Sequence, residues 1–167
     1  ISEVGVGWGS ALERVGEYAA AEEALDDAYW LASSLKQESL AAEAAIAATL
    51  VVGHHLGRLD EVERWQRQAE AAVKRAGDDP LLRAELHETI GTVDVDRGDY
   101  SSARANHEQA LALREEALGP DDPRVGNRAG RCAGLPAREH CRLGDRARLP
   151  DPAPGREAAD QGRRAGR

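Results

Sequence analysis

The tripeptides Gly16-Glu17-Tyr18, Gly57-Arg58-Leu59 and Gly98-Asp99-Tyr100 stand 41 residues apart. The last opens the segment GDYSSARANHEQALALREEALGPDDPRV (Gly98–Val125). Seven positions before the three glycines come Gly9, Leu50 and Gly91. Five positions after them come Ala21, Val62 and Ala103, and twelve after them Ala28, Ala69 and Ala110. A period shared by four columns marks a solenoid, in which each unit buries its apolar face only against its neighbours.

Each unit reads as two helices. In the third, Asp79-Pro80 offers an N-cap and a proline at the first helical position. Leu82, Leu86, Ile90 and Val93 then recur at helical spacing up to Arg97. Gly98-Asp99 breaks this helix, and a second runs from about Ser101 to Leu118, where Gly119-Pro120 stops it with a left-handed glycine cap. In the second unit Ser39 is the expected cap of the first helix, Asp60 caps the second, and Gly77 ends it. The first unit gives helices from near the start to Val15 and from Glu17 to about Ser34. Gly or Ala at the repeated columns allows two helix backbones to approach closely. The tyrosines after the turn glycines are expected to add buried area.

Composition sets the repeat apart from the C-terminal residues. Of 167 residues 41% are apolar, but Phe and Met are absent and much of the remainder is Ala, which excludes a core of large side chains. The 22 basic and 30 acidic side chains give a net charge of −8, against a general nucleic-acid binder, which needs a basic face. Residues 1–123 hold 11 basic against 25 acidic groups, and residues 124–167 hold 11 Arg against five acids, with no Lys. Units near 1–38, 39–79 and 80–123 are therefore succeeded by an Arg/Gly/Pro-rich tail, 124–167. Its apolar residues Val125, Leu135, Leu143 and Leu149 are too few to offset the chain entropy of ordering it. The tail reads as disordered. A fourth turn glycine is due at 139, where Glu139 stands, and the repeat stops just past an intact linker. A frameshift near 125–127 in a GC-rich gene accounts for this; the rival is a genuine basic tail that contacts an acidic partner.

The repeated residues resemble the tetratricopeptide repeat. The small residues Gly9 and Gly91, the turn glycines Gly16, Gly57 and Gly98, the aromatics Tyr18 and Tyr100, and the second-helix alanines Ala21, Ala103, Ala28, Ala69 and Ala110 carry the likeness. The middle unit departs from it with Leu50, Leu59 and Val62. The 41-residue period is similar to the long variant of kinesin light chains, as is the linker ALALREEALGPDDPRV (Ala110–Val125). The resemblance implies an all-α, right-handed solenoid of about three helical hairpins that binds a protein or peptide along its first helices. The linker also resembles repeat arrays of multidomain bacterial serine/threonine protein kinases. Arrays of transcriptional regulators and signalling ATPases are the alternative. The groove positions it implies are Glu3, Val6, Ser10, Glu13 and Arg14, then Ala44, Ala47, Val51, His54 and His55, then Glu85, Glu88, Thr92, Val95 and Asp96. The family's Lys and Asn carboxylate clamp is missing. Five acids against one Arg imply a basic or mixed peptide.

Motifs of chemistry are weak. Gly5-Val6-Gly7-Trp8-Gly9 lacks the strand and the Lys-Ser/Thr of a phosphate loop, and Gly9 already belongs to the repeat. Val-Ala-Ile-Lys, His-Arg-Asp and Asp-Phe-Gly are absent, so any kinase catalysis lies outside these residues. His54 and His55 are neighbours, about 100° apart around a helix, and make no shared metal face. Cys132, His140 and Cys141 fit no zinc-finger spacing. The reading is a non-catalytic module without cofactor, metal, nucleic-acid or membrane partner. Two cysteines without a disulfide framework place it in the cytoplasm.

Overall fold

A computed structural model describes residues 2–120, together with Asp122 and Val125. They form α1 (Ser2–Val15), α2 (Tyr18–Ser34), α3 (Glu38–Leu50), α4 (Leu59–Arg75), α5 (Pro80–Asp96) and α6 (Tyr100–Leu118). A π-helical turn, Val51–His55, prolongs α3. The described residues contain no strand. Helices pair in chain order, α1 with α2, α3 with α4 and α5 with α6, and the first helices also pack on one another, α1 on α3 and α3 on α5. The described residues form an all-α helical repeat, as the period predicts. The disordered or frameshifted tail and the Cys132, His140 and Cys141 cluster lie outside the described residues. Val125, the one tail residue described, is buried.

The three turn glycines share one corner conformation. Gly16, Gly57 and Gly98 have φ of 86°, 64° and 76°. Any other residue would be strained there. The residue after each, Glu17, Arg58 and Asp99, has nearly the same backbone, φ near −85° with ψ of 61°, 70° and 73°. In the first corner the Glu17 N–H donates to Leu12 O at 3.0 Å, and in the third Asp99 N–H donates to Asp94 O at 2.9 Å. These are Schellman bonds, which satisfy carbonyls that the helix end leaves open.

The second corner differs by one residue. Arg58 N–H reaches Val52 O at 3.0 Å, a residue further back, and the surplus residue is held in the π turn. Upstream of that turn α3 is therefore offset 40 residues from α1 and 42 from α5, and Asp78, with φ 63°, is the added linker residue before α5. This corrects the small-residue column: the counterpart of Gly9 and Gly91 is Thr49, not Leu50. Gly9, Thr49 and Gly91 are all buried, while Leu50 is half-buried. A Cβ at Gly9 would lie 2.6 Å from Leu25 Cγ, and one at Gly91 2.9 Å from the His107 ring. Thr49 keeps its hydroxyl satisfied by donating to Ala45 O at 2.8 Å.

The predicted caps divide. Asp79 accepts from Leu81 and Leu82 N–H at 2.9 and 3.1 Å, with Pro80 at the first helical position. Asp99 accepts from Ser102 N–H at 3.1 Å. Ser39 and Asp60 are not caps: α3 and α4 begin after Gln37 and Arg58, which make no side-chain cap bond. The positive-φ residue fixes the helix start two positions later whatever residue stands there, and Lys36, with φ 56°, does so before α3. Gly119 has φ 88° with ψ 154°, so its cap is extended rather than left-handed helical.

The core is built from small side chains around a few large ones. Ala21, Val62, Ala103 and Ala69 are fully buried, as are Leu25, Val51, Val52 and Val73. Tyr29 meets Trp65 edge-on at 5.8 Å. Tyr18 and Tyr100 are only half-buried, so Tyr29 and Trp65 supply most of the aromatic packing. Gly53 sits where α3 meets the third unit: a Cβ there would come within 2.6 Å of Val93 Cγ2 and 2.8 Å of Val62 Cγ2. Gly7, exposed on α1, has nothing within 4 Å. Gly53→Ala is expected to destabilise the fold by about 1–3 kcal/mol through overpacking, and Gly7→Ala to stabilise it by about 0.5–1 kcal/mol through helix propensity. Urea unfolding of the two variants measures both.

Candidate binding surface of the first helices

The one-residue insertion re-sorts the surface that the first helices present. With α3 in its true register, Glu43 rather than Ala44 is the counterpart of Glu3 and Glu85. Burial is the larger cause that raises the Glu43 carboxyl above the ordinary carboxylate range, and the Glu3 charge beside it adds to this. Ala44 is fully buried and lines no groove. The same holds for Val51; its expected place beside Ser10 and Thr92 belongs to Leu50, and all three are half-buried. Val6, Ala47, Glu13 and Val95 are half-buried, and Arg14, Glu85 and Asp96 are exposed.

Glu88 is not an open groove carboxylate. It is 7% exposed and ion-paired to Arg114 of α6, itself 7% exposed. Thr92 Oγ1 donates to Glu88 O at 3.0 Å. The third hairpin is joined by polar contacts of this kind. Asn106 Nδ2 donates to Asp94 Oδ2 at 3.0 Å, and Asn106 Oδ1 lies 3.0 Å from His87 Nδ1.

His54 and His55 lie side by side and turn to different partners. Within the π turn their rings lie 4.8 Å apart at 58°. His55 Nε2 is 3.0 Å from Glu13 Oε1, and His54 Nδ1 is 2.7 Å from Asp96 Oδ2. Tyr18 stacks flat on the His55 ring, 4.4 Å away and 5° from parallel. A line of contacts Glu13–His55–His54–Asp96 thus crosses all three units, with one carboxylate–imidazole bond at each junction. The sequence signal for it is the paired 42-residue spacing of Glu13 with His55 and His54 with Asp96. The family's groove pattern makes these four residues ligand contacts; the structure makes them partners of one another. Among the described residues no three or more His, Cys, Asp or Glu side chains gather as a metal site.

Two of these carboxylates have measurable consequences. Glu43 holds its proton more tightly folded than unfolded, so it costs stability at neutral pH, and that cost fades as pH falls below its raised value. Glu43→Gln is therefore expected to raise the melting temperature at pH 7 and to change it little near pH 3. Glu88→Leu leaves Arg114 buried without its charge partner and is expected to cost about 3 kcal/mol, while adding Arg114→Leu recovers most of the loss. Chemical denaturation of the single and double variants gives both numbers.

No helix among the described residues is long and apolar enough to cross a membrane. Comparison with curated proteins and with solved structures gives no match. Residues 89–124 match the family model of the tetratricopeptide repeat. That stretch holds the second half of α5, the Gly98 corner with its Schellman bond, and all of α6. Its corner geometry is that of the Gly16 corner, and the segment 89–124 is similar to a tetratricopeptide repeat.

Proposed function

We propose that the chain is a non-catalytic protein-interaction scaffold that takes a basic or mixed peptide along its first-helix face. Tetratricopeptide repeats generally bind proteins or peptides, and one repeat is matched here. The observation that carries the peptide's charge is the register of α3, which aligns Glu3, Glu43 and Glu85 on successive first helices. Glu43, kept above the usual carboxylate range by burial and by Glu3, is the member of this row with most to gain from a cation. Arg14 is the exposed base on the same side of α1. Leu50 and Ala47 give the row an apolar floor.

Fluorescence anisotropy with Arg/Lys-rich and Asp/Glu-rich peptides tests the reading. Binding of the basic set, weakened by salt and about tenfold by the triple substitution Glu3→Gln, Glu43→Gln and Glu85→Gln, is expected from three partly screened contacts. Equal binding of the acidic set sinks it.

The parent protein we favour is a bacterial serine/threonine protein kinase in which this segment is regulatory, with a transcriptional regulator or signalling ATPase as the alternative. The support is the linker sequence at Ala110–Val125. The reading frame upstream of Ile1 decides it: kinase motifs favour the first, and a Walker loop or DNA-binding helices favour the second.

A further inference from the structure

The outward face of α2 combines an exposed aromatic ring with acids that no base of the helix answers. Glu23, Asp26, Asp27 and Trp30 fall within about 100° of one another around α2, with Trp30 between the two aspartates. Trp30 is 57% exposed, Glu23 and Asp27 are exposed, and Asp26 is half-buried. The α2 sequence, Tyr18–Ser34, holds four acids and no Lys or Arg. Arg58 pairs with the fourth acid, Glu22, and no base among the described residues pairs with the other three. This face looks outward in the middle unit too. Arg64 and Ala71, the counterparts there of Glu23 and Trp30, are exposed although a hairpin packs on either side. Tyr29, buried, meets the Trp30 ring edge-on at 5.1 Å.

We propose that this face docks the Arg-rich segment 124–167 of the same chain. That segment holds 11 Arg against five acids, the opposite balance to residues 1–123 with 11 basic against 25 acidic groups. Its bases are all Arg, which suits the face. A guanidinium lies flat on an indole and forks onto a carboxylate, whereas an ammonium is a compact point charge. Trp30, flanked by Asp26 and Asp27, offers both contacts. Position favours the same occupant. Tight turns join successive helices, so α2 and α6 run in the same direction. Trp30, in the C-terminal half of α2, therefore lies toward the end of the array at which α6 closes with Leu118. From α6 through α5 and α3 to α2 there are three packed steps of about 8–10 Å between axes. The 42 residues after Val125 can span up to about 140 Å, well beyond that separation. The acidic partner of a genuine basic tail is then the chain itself, on a surface distinct from the first-helix row.

Cys132 and Cys141 are the chain's two cysteines, so a thiol-specific nitroxide puts the probe in this segment without any substitution. Nuclear magnetic resonance of the labelled full chain, with the nitroxide oxidised and then reduced, reads which amides lie near it. Loss of amide intensity along residues 23–34 of α2 is expected at low ionic strength. The loss should fade at about 0.5 M salt, where charges are screened within a few ångströms. It should also fade in Trp30→Ala and in the double variant Asp26→Asn with Asp27→Asn. Circular dichroism of these variants should match the parent, since none of the three side chains is buried. An isotope-labelled chain without nitroxide, mixed with nitroxide-labelled chain, should lose no intensity, which separates the chain's own segment from that of a second copy. Four results overturn the proposal: α2 amides untouched by the nitroxide, loss centred on α1, α3 and α5 instead, loss in the mixed sample, or loss indifferent to the α2 substitutions.

Discussion

Close approach of helix backbones is the constraint on which this structure rests. With no Phe or Met and a core dominated by Ala, the helices cannot be wedged apart by large side chains and still exclude water. They must pack at short range, and Gly9 and Gly91 make room for it: Leu25 and the His107 ring of the second helices sit where a Cβ would stand. A Cβ at Gly9 would already collide with Leu25. Dense packing at short range replaces bulk, and small changes in volume are felt accordingly.

The same constraint shapes the junctions between units. Gly53 lets Val93 and Val62 seat against α3, so the third hairpin can stack on the second. The third hairpin adds little to the apolar cluster beyond Leu86 and Val93. It relies instead on Glu88–Arg114 and the Asp94–Asn106–His87 contacts. Buried polar groups of this kind give specificity of pairing more readily than net stability. The His54–His55 line adds a polar seam across both junctions, its bonds exchanged between residues 42 apart.

A surface defined by stacked first helices is only as regular as their registers. The π turn in α3 rotates everything upstream of it by one residue, which takes Ala44 and Val51 into the core and brings Glu43 and Leu50 outward. The acidic row along Glu3, Glu43 and Glu85 exists because of that rotation.

Helix content, the hairpin order and the three corners were legible in the sequence. Glycine at positive φ, Asp79 before Pro80 and alanines at fixed spacing are local signals, each tied to its own backbone. The first-helix surface was legible only in part. Whether a helix end holds one more residue shows in which carbonyl the next corner reaches, Val52 here instead of Gly53, and Gly53 at that point packs against Val62 and Val93 from two other helices. Likewise Glu88 reads as an acid on a face until Arg114, 26 residues later, folds over it. Local geometry is written residue by residue, whereas register and pairing are settled by contacts that form only when the hairpins stack.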